Sequence, residues 1–203
     1  MSLIENLSLF FERLPGIGPR QAKRCVFALL EKDEAFIQNF SNSILKLKAN
    51  IKRCALCFYT FESIETRENE CQMCKNINKD QNLIMVVQKE IDLENIEKSK
   101  CYNGKYFVLG GSISLLDKEG VKKIRMKELF ERIKNDIKIT EIIIALNADK
   151  EGEATSLYIK RIMEPFEKQR NLKITGFARG LSSGTEIEYS DKDTLQNAFI
   201  NRK

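Results

Sequence analysis

A chain of 203 residues that is 42% hydrophobic and 31% charged can bury a core, and it lacks the composition of a disordered segment. Its net charge of +5 suits a polyanionic partner without demanding one, while the absence of histidine excludes His-based acid–base catalysis, Ser-His-Asp triads and every mixed Cys/His metal pattern. No apolar run reaches the length of a membrane span, and the opening MSLIENLSLFFERL carries acids among its apolar residues, unlike a signal peptide, so a cytoplasmic protein with no membrane partner is expected.

The first segment, 1–52, reads as helical. Leu3, Leu7, Phe10 and Phe11 recur at helical spacing, and so do Phe36, Ile37, Phe40, Ile44 and Leu47. Between them LPGIGPRQAKR combines a Pro-Gly turn, a second glycine and a new helix with Pro19 near its first turn. Gly16 and Gly18 let backbone N–H groups approach a phosphate, and Arg20, Lys23 and Arg24 supply charge from the helix start. A plain helical connector would share the turn but has no need of the basic residues that follow it. No side chain here is placed to read bases, so contact would be independent of sequence.

The segment 53–76 carries Cys54-Ala-Leu-Cys57 and Cys71-Gln-Met-Cys74, two CxxC pairs separated by thirteen residues. Each pair turns two thiolates toward one point, and together they form the sulfur cage of a structural zinc site, one Zn²⁺ per chain with no coordination position left for water. So small a module has little core, and metal binding would contribute on the order of 10 kcal/mol or more to its folding. Cys25 and Cys101 fall outside this pattern and read as ordinary buried thiols.

From 77 to 175 strands alternate with helices: LIMVVQ, DLENIEKS, YFVLGG, KELFERIKND, EIIIAL, EGEATSLYIKRIM and LKITGFA. That alternation predicts a largely parallel sheet with crossover helices. NADKEGEAT then sets Asp149, Glu151 and Glu153 at the carboxyl end of the EIIIAL strand, where open α/β sheets bind ligands. Acids at a helix start also stabilise the helix, by about 0.3–1 kcal/mol each. The tail, 176–203, is Gly/Ser-rich and then helical, and its Leu195, Ala198, Phe199 and Ile200 offer apolar surface for an oligomer contact. It lacks the Gly-Lys-Ser/Thr ending of a phosphate-cradling loop, and Arg179, Gly180 and Gly184 could serve either structure or DNA.

LPGIGPRQAKR, the cysteine quartet, YFVLGGSISLLD, NADKEGEAT and FARGLSSGTEIEY, in that order, closely resemble the bacterial RecR family over essentially the whole chain. The resemblance implies an α+β multi-module protein: a helix-hairpin-helix that grips DNA phosphates, a four-cysteine zinc module, an α/β Toprim domain and a C-terminal oligomerisation tail. It also implies a homo-oligomer, from dimer to tetramer ring, that clamps DNA. Its partners would be RecO and, in many bacteria, RecF, in loading RecA onto SSB-coated single strands.

Active Toprim enzymes hold Mg²⁺ with a glutamate after the first strand and a DxD pair after a later one. In this chain Gln88 and Asn147 fall at two of those places and only Asp149 remains. Amides are neutral and cannot act as general bases, which argues against the rival reading of a Mg-dependent Toprim nuclease or primase-like enzyme. Glu90, two positions beyond Gln88, stands too far past the strand end to substitute. Asp149, Glu151 and Glu153 are then either helix-start residues or an acidic face for a basic protein partner. A purely structural zinc-ribbon subunit is the third reading.

Overall fold

The computed structural model describes residues 1–63, 68–114, 124–181 and 183–202, so the end of YFVLGGSISLLD and Ser182 of the tail lie outside the described residues. The chain divides into two compact units, Met1–Ile51 and Lys52–Lys203.

The first unit holds α1 (Leu3–Glu12), α2 (Pro19–Leu30) and α3 (Glu34–Asn50). Ser2 and Glu5 close a reciprocal capping box at the start of α1, and Asp33 caps α3 through the Phe36 N–H at 2.7 Å. Ala22 and Val26 of α2 pack beneath α1, where Ser8 is also buried, whereas no residue of α3 is buried.

Two short paired strands come next, β1 (Ile51–Arg53) and β2 (Thr60–Glu62), followed by one helical turn, α4 (Gln72–Lys75). Then come β3 (Asp80–Val87), α5 (Glu90–Ser99), β4 (Gly104–Val108), α6 (Met126–Asn135), β5 (Glu141–Ala145), α7 (Lys150–Arg170) and β6 (Lys173–Gly176). A 3-10 turn at Ile187–Tyr189 precedes the closing helix α8 (Lys192–Ile200). The sheet order is β4-β3-β5-β6 and every pairing within it is parallel.

Because side chains alternate along a strand, the sheet has two apolar faces. One carries Ile84, Val86, Phe107, Ile142 and Ile144 against Leu129 and Ile133 of α6 and Ile159, Met163 and Phe166 of α7. The other carries Met85, Val87, Tyr106 and Val108 against Leu93 of α5 and against Tyr59 and Met73 of the cysteine module. The connection from β3 to β4 runs one way along the sheet and the next, to β5, returns across β3. The carboxyl ends of β3 and β5 therefore flank the topological switch point, the crevice that open α/β sheets use for ligands. Among the described residues no helix is long and apolar enough to cross a membrane.

Candidate functional site

Three places in the chain concentrate chemistry. The first is the turn between α1 and α2. Gly16 sits at φ +81°, where a side chain would be strained, and a Cβ on Gly16 or Gly18 would meet no heavy atom within 4 Å. The space above both glycines is open to an external group. Gly18 is the N-cap of α2 and provides no side-chain cap, and Pro19 at the first position has no N–H to offer. The N–H groups that follow it in the first turn are left to an outside acceptor. Arg20, Lys23, Arg24 and Phe27 are all exposed, and their i, i+3, i+4, i+7 spacing puts them on one face of α2, opposite the buried Ala22 and Val26.

The second is the cysteine module. The Sγ atoms of Cys54, Cys57, Cys71 and Cys74 all lie within 4.8 Å of one another, with Cys57 and Cys71 at 3.5 Å. Cys54, Cys57 and Cys71 are buried and Cys74 is half-buried. The Cys71 N–H also points at Cys54 Sγ, at 3.4 Å. Thiol contacts from Cys57, then Cys71 and Cys74, hold Cys54 far below an ordinary thiol, and the contact with Cys54 drives Cys57 far above one. Four thiols this close cannot all ionise unless a cation joins them, and a soft, fourfold, water-excluding sulfur set is what a metal ion of the zinc type takes. Phe58, at φ +63°, leaves the first knuckle to set its ring edge-on to Phe107 at 5.3 Å, beneath the Arg125 guanidinium at 5.2 Å.

The third is the end of the sheet. Asp149 is the N-cap of α7, with its Oδ1 accepting from the Gly152 N–H at 2.7 Å. Glu151 accepts from Ser112 Oγ at 3.0 Å, and that hydroxyl accepts from Gln88 Nε2 at 3.3 Å. Since the Ser112 proton is committed to the carboxylate, Gln88 must present its NH₂ to Ser112, which leaves its buried Oε1 without a partner. Thr155, fully buried, accepts from the Ile113 N–H at 2.8 Å and donates to the Glu151 carbonyl at 2.6 Å. Glu153 forms an ion pair with Arg179 of the tail.

The two amides thus stand beside β3 and β5 as the sequence placed them, and Glu90 belongs to the first turn of α5. Among the described residues the four cysteines are the ligating groups brought together as a cation would require; Asp149, Glu151 and Glu153 are not. Cys101 is exposed and Cys25 half-buried, so neither is the buried thiol the sequence suggested. Cys101 follows the left-handed residue Lys100 that ends α5, and that cap carries it out of the core. Ser112 and Thr155 escaped the sequence reading as functional positions because a hydroxyl shows its partners only once the loop after β4 meets α7.

A helical hairpin with an open glycine turn, a four-thiol cage and a parallel sheet ending in the EGEAT turn define a modular α+β protein of the Toprim class. Three known families match segments of the chain: the RecR helix-hairpin-helix over residues 3–48, the Toprim domain over 82–178 and the RecR C-terminal segment over 180–203. The recombination protein RecR of a Nocardioides species is 37% identical over 201 residues, covering 99% of this chain and 96% of its own. That of Prochlorococcus marinus is 40% identical over 192 residues (95% and 90%), and that of a Synechococcus species 37% over 193 (95% and 95%). The chain belongs to the RecR family of recombination proteins.

Proposed function

We propose that the chain is a non-enzymatic mediator of recombinational DNA repair, a homo-oligomeric clamp that holds DNA without regard to sequence. It would act with a RecO-type partner, and with a RecF-type protein as an additional one, to help load RecA on SSB-coated single strands in the cytoplasm. The observation that carries the reading is the exposed face of Arg20, Lys23 and Arg24 beside the open Gly16–Gly18 turn, which presents charge and uncapped N–H groups to the same side. Zn²⁺, held by Cys54, Cys57, Cys71 and Cys74, is the structural ion of this reading. The absence of an enzymatic role is supported by the amides Gln88 and Asn147 and by the internal bonds of the acids. Asp149, Glu151 and Glu153 would form the edge that a basic partner meets.

The test is the salt dependence of DNA binding by the Arg20→Glu/Arg24→Glu variant. Loss of two phosphate contacts lowers affinity and reduces the slope of log K against log salt by roughly 1.4–1.8, depending on whether the DNA is single- or double-stranded. A slope equal to that of the parent would overturn the assignment. Incubation of labelled DNA with and without Mg²⁺, expected to leave strand length unchanged, separates this reading from a Toprim nuclease or primase.

A further inference from the structure

We propose that Lys105 is a positioning residue for the metal cage, the cation that fastens the cysteine module to the edge of the Toprim sheet and balances the charge of the metal–thiolate centre. The inference rests on the reading of the quartet as a zinc site.

Among the described residues of the second unit two lysines are buried, and they differ in how their charge is met. Lys79, 5% exposed, pairs with Glu97 at 2.8 Å. Lys105, 6% exposed, has no carboxylate partner among the described residues, and its Nζ donates instead to the carbonyls of Cys74 at 2.8 Å and Asn76 at 3.2 Å. A buried ammonium held only by neutral carbonyls is costly, because two dipoles do not replace its hydration. One divalent ion with four thiolates is a net dianion, equally costly to bury alone. The ammonium is bonded to the backbone of one of that dianion's ligands, so each charge supplies what the other lacks.

The same contact is mechanical. β4 is an edge strand of the sheet, and it meets both cysteine knuckles at the same point of each. The carbonyl of Cys57, which closes the first knuckle, accepts from the Val108 N–H at 2.8 Å. The carbonyl of Cys74, which closes the second, accepts from Lys105. Two donors on one strand therefore set the knuckles opposite one another. Groups that orient ligands in this way typically change metal affinity by 10- to 100-fold, and by linkage the ion stabilises β4 in return.

The experiment is zinc competition against a chromophoric chelator, using the full chain and its Lys105→Met and Lys105→Arg variants. Lys105→Met, similar in length but with neither charge nor donor, raises the zinc dissociation constant by roughly 10- to 100-fold. Lys105→Arg keeps both and stays near the parent. Equal affinity in Lys105→Met and parent would overturn the proposal, whereas failure of the parent to bind zinc would overturn the zinc reading beneath it. Should Lys105→Met fail to fold, amine acylation of the parent with peptide mapping decides the matter. Lys105 is shielded in the zinc-loaded chain and labels at least about tenfold faster once the ion is chelated, the weaker end of that same coupling. Labelling that ignores the metal would overturn the coupling.

Discussion

Gly152 is the residue on which the geometry of the sheet end depends most narrowly. A Cβ there would fall 2.1 Å from the Asn147 carbonyl oxygen, and the turn cannot simply open because Asp149 Oδ1 grips the Gly152 N–H at 2.7 Å. Alanine is the better helix former by about 1 kcal/mol, so the clash must exceed that gain to show. Gly152→Ala is expected to destabilise the chain by a net of about 1–3 kcal/mol, read as a lower urea midpoint at unchanged slope. A variant as stable as the parent would mean that the first turn of α7 moves away from Asn147. Thr155→Val tests the neighbouring clamp: it keeps the shape but leaves the Ile113 N–H and the Glu151 carbonyl, both bonded to the fully buried Thr155, without that partner. The expected cost is again about 1–3 kcal/mol, measured in the same way.

Among the elements, the start of α7 separates two acids that look equivalent in the sequence. Glu151 is bound into the relay through Ser112 to Gln88, so reversing its charge disturbs the sheet end itself. Among the described residues the Glu153 carboxylate meets only Arg179, and that pair is 49% and 40% exposed, so it contributes little to stability. Glu153→Lys is therefore the cleaner probe of the acidic edge: the unfolding midpoint stays close to the parent while affinity for a RecO-type partner falls. Unchanged affinity would remove Glu153 from the docking surface. The same elements show what hydrophobic pattern can and cannot reveal. LIMVVQ and EIIIAL announce β3 and β5 because both faces of a parallel sheet are covered, which leaves an unbroken apolar run. β4 starts at Gly104, ahead of the apolar run that begins at Tyr106, because Lys105 is drawn inward by carbonyls of another module. A buried lysine reads as a surface residue until its partners are known. β1, β2 and α4 have no periodicity to read, since sulfur atoms rather than apolar stripes gather that module. The four clustered cysteines and the basic face of α2 were legible as short motifs; the Gln88–Ser112–Glu151 relay joins residues far apart in the chain and was not.

At the scale of the whole molecule the two units are built on unequal cores. Within Met1–Ile51 only Ser8, Ala22 and Val26 are buried, and α3 leaves Phe36, Phe40, Ile44, Leu45 and Leu47 between 39% and 69% exposed. A groove of about 900 Å³ runs among these helices, lined by Leu7, Phe10, Leu14, Val26, Phe40 and Ile44. A unit this short buries too little surface to be stable with such a face in water. The proposed homo-oligomer covers it, and the argument can be made quantitative. If Phe40 and Ile44, 39% and 51% exposed, become buried against a second copy, each contributes about half of the roughly 1.5–3 kcal/mol that a fully exposed side chain would. Replacing both by glutamate then removes roughly 1.5–3 kcal/mol per site of contact and weakens self-association by about tenfold to a hundredfold. Sedimentation across a concentration series should show Phe40→Glu/Ile44→Glu shifted to smaller species where the parent is assembled, with zinc content unchanged because the cage lies in the other unit. An identical mass distribution for the two proteins would show that this face is not where copies meet and would leave the apolar surface of α8, where Phe199 and Ile200 are each 68% exposed, as the contact to test next.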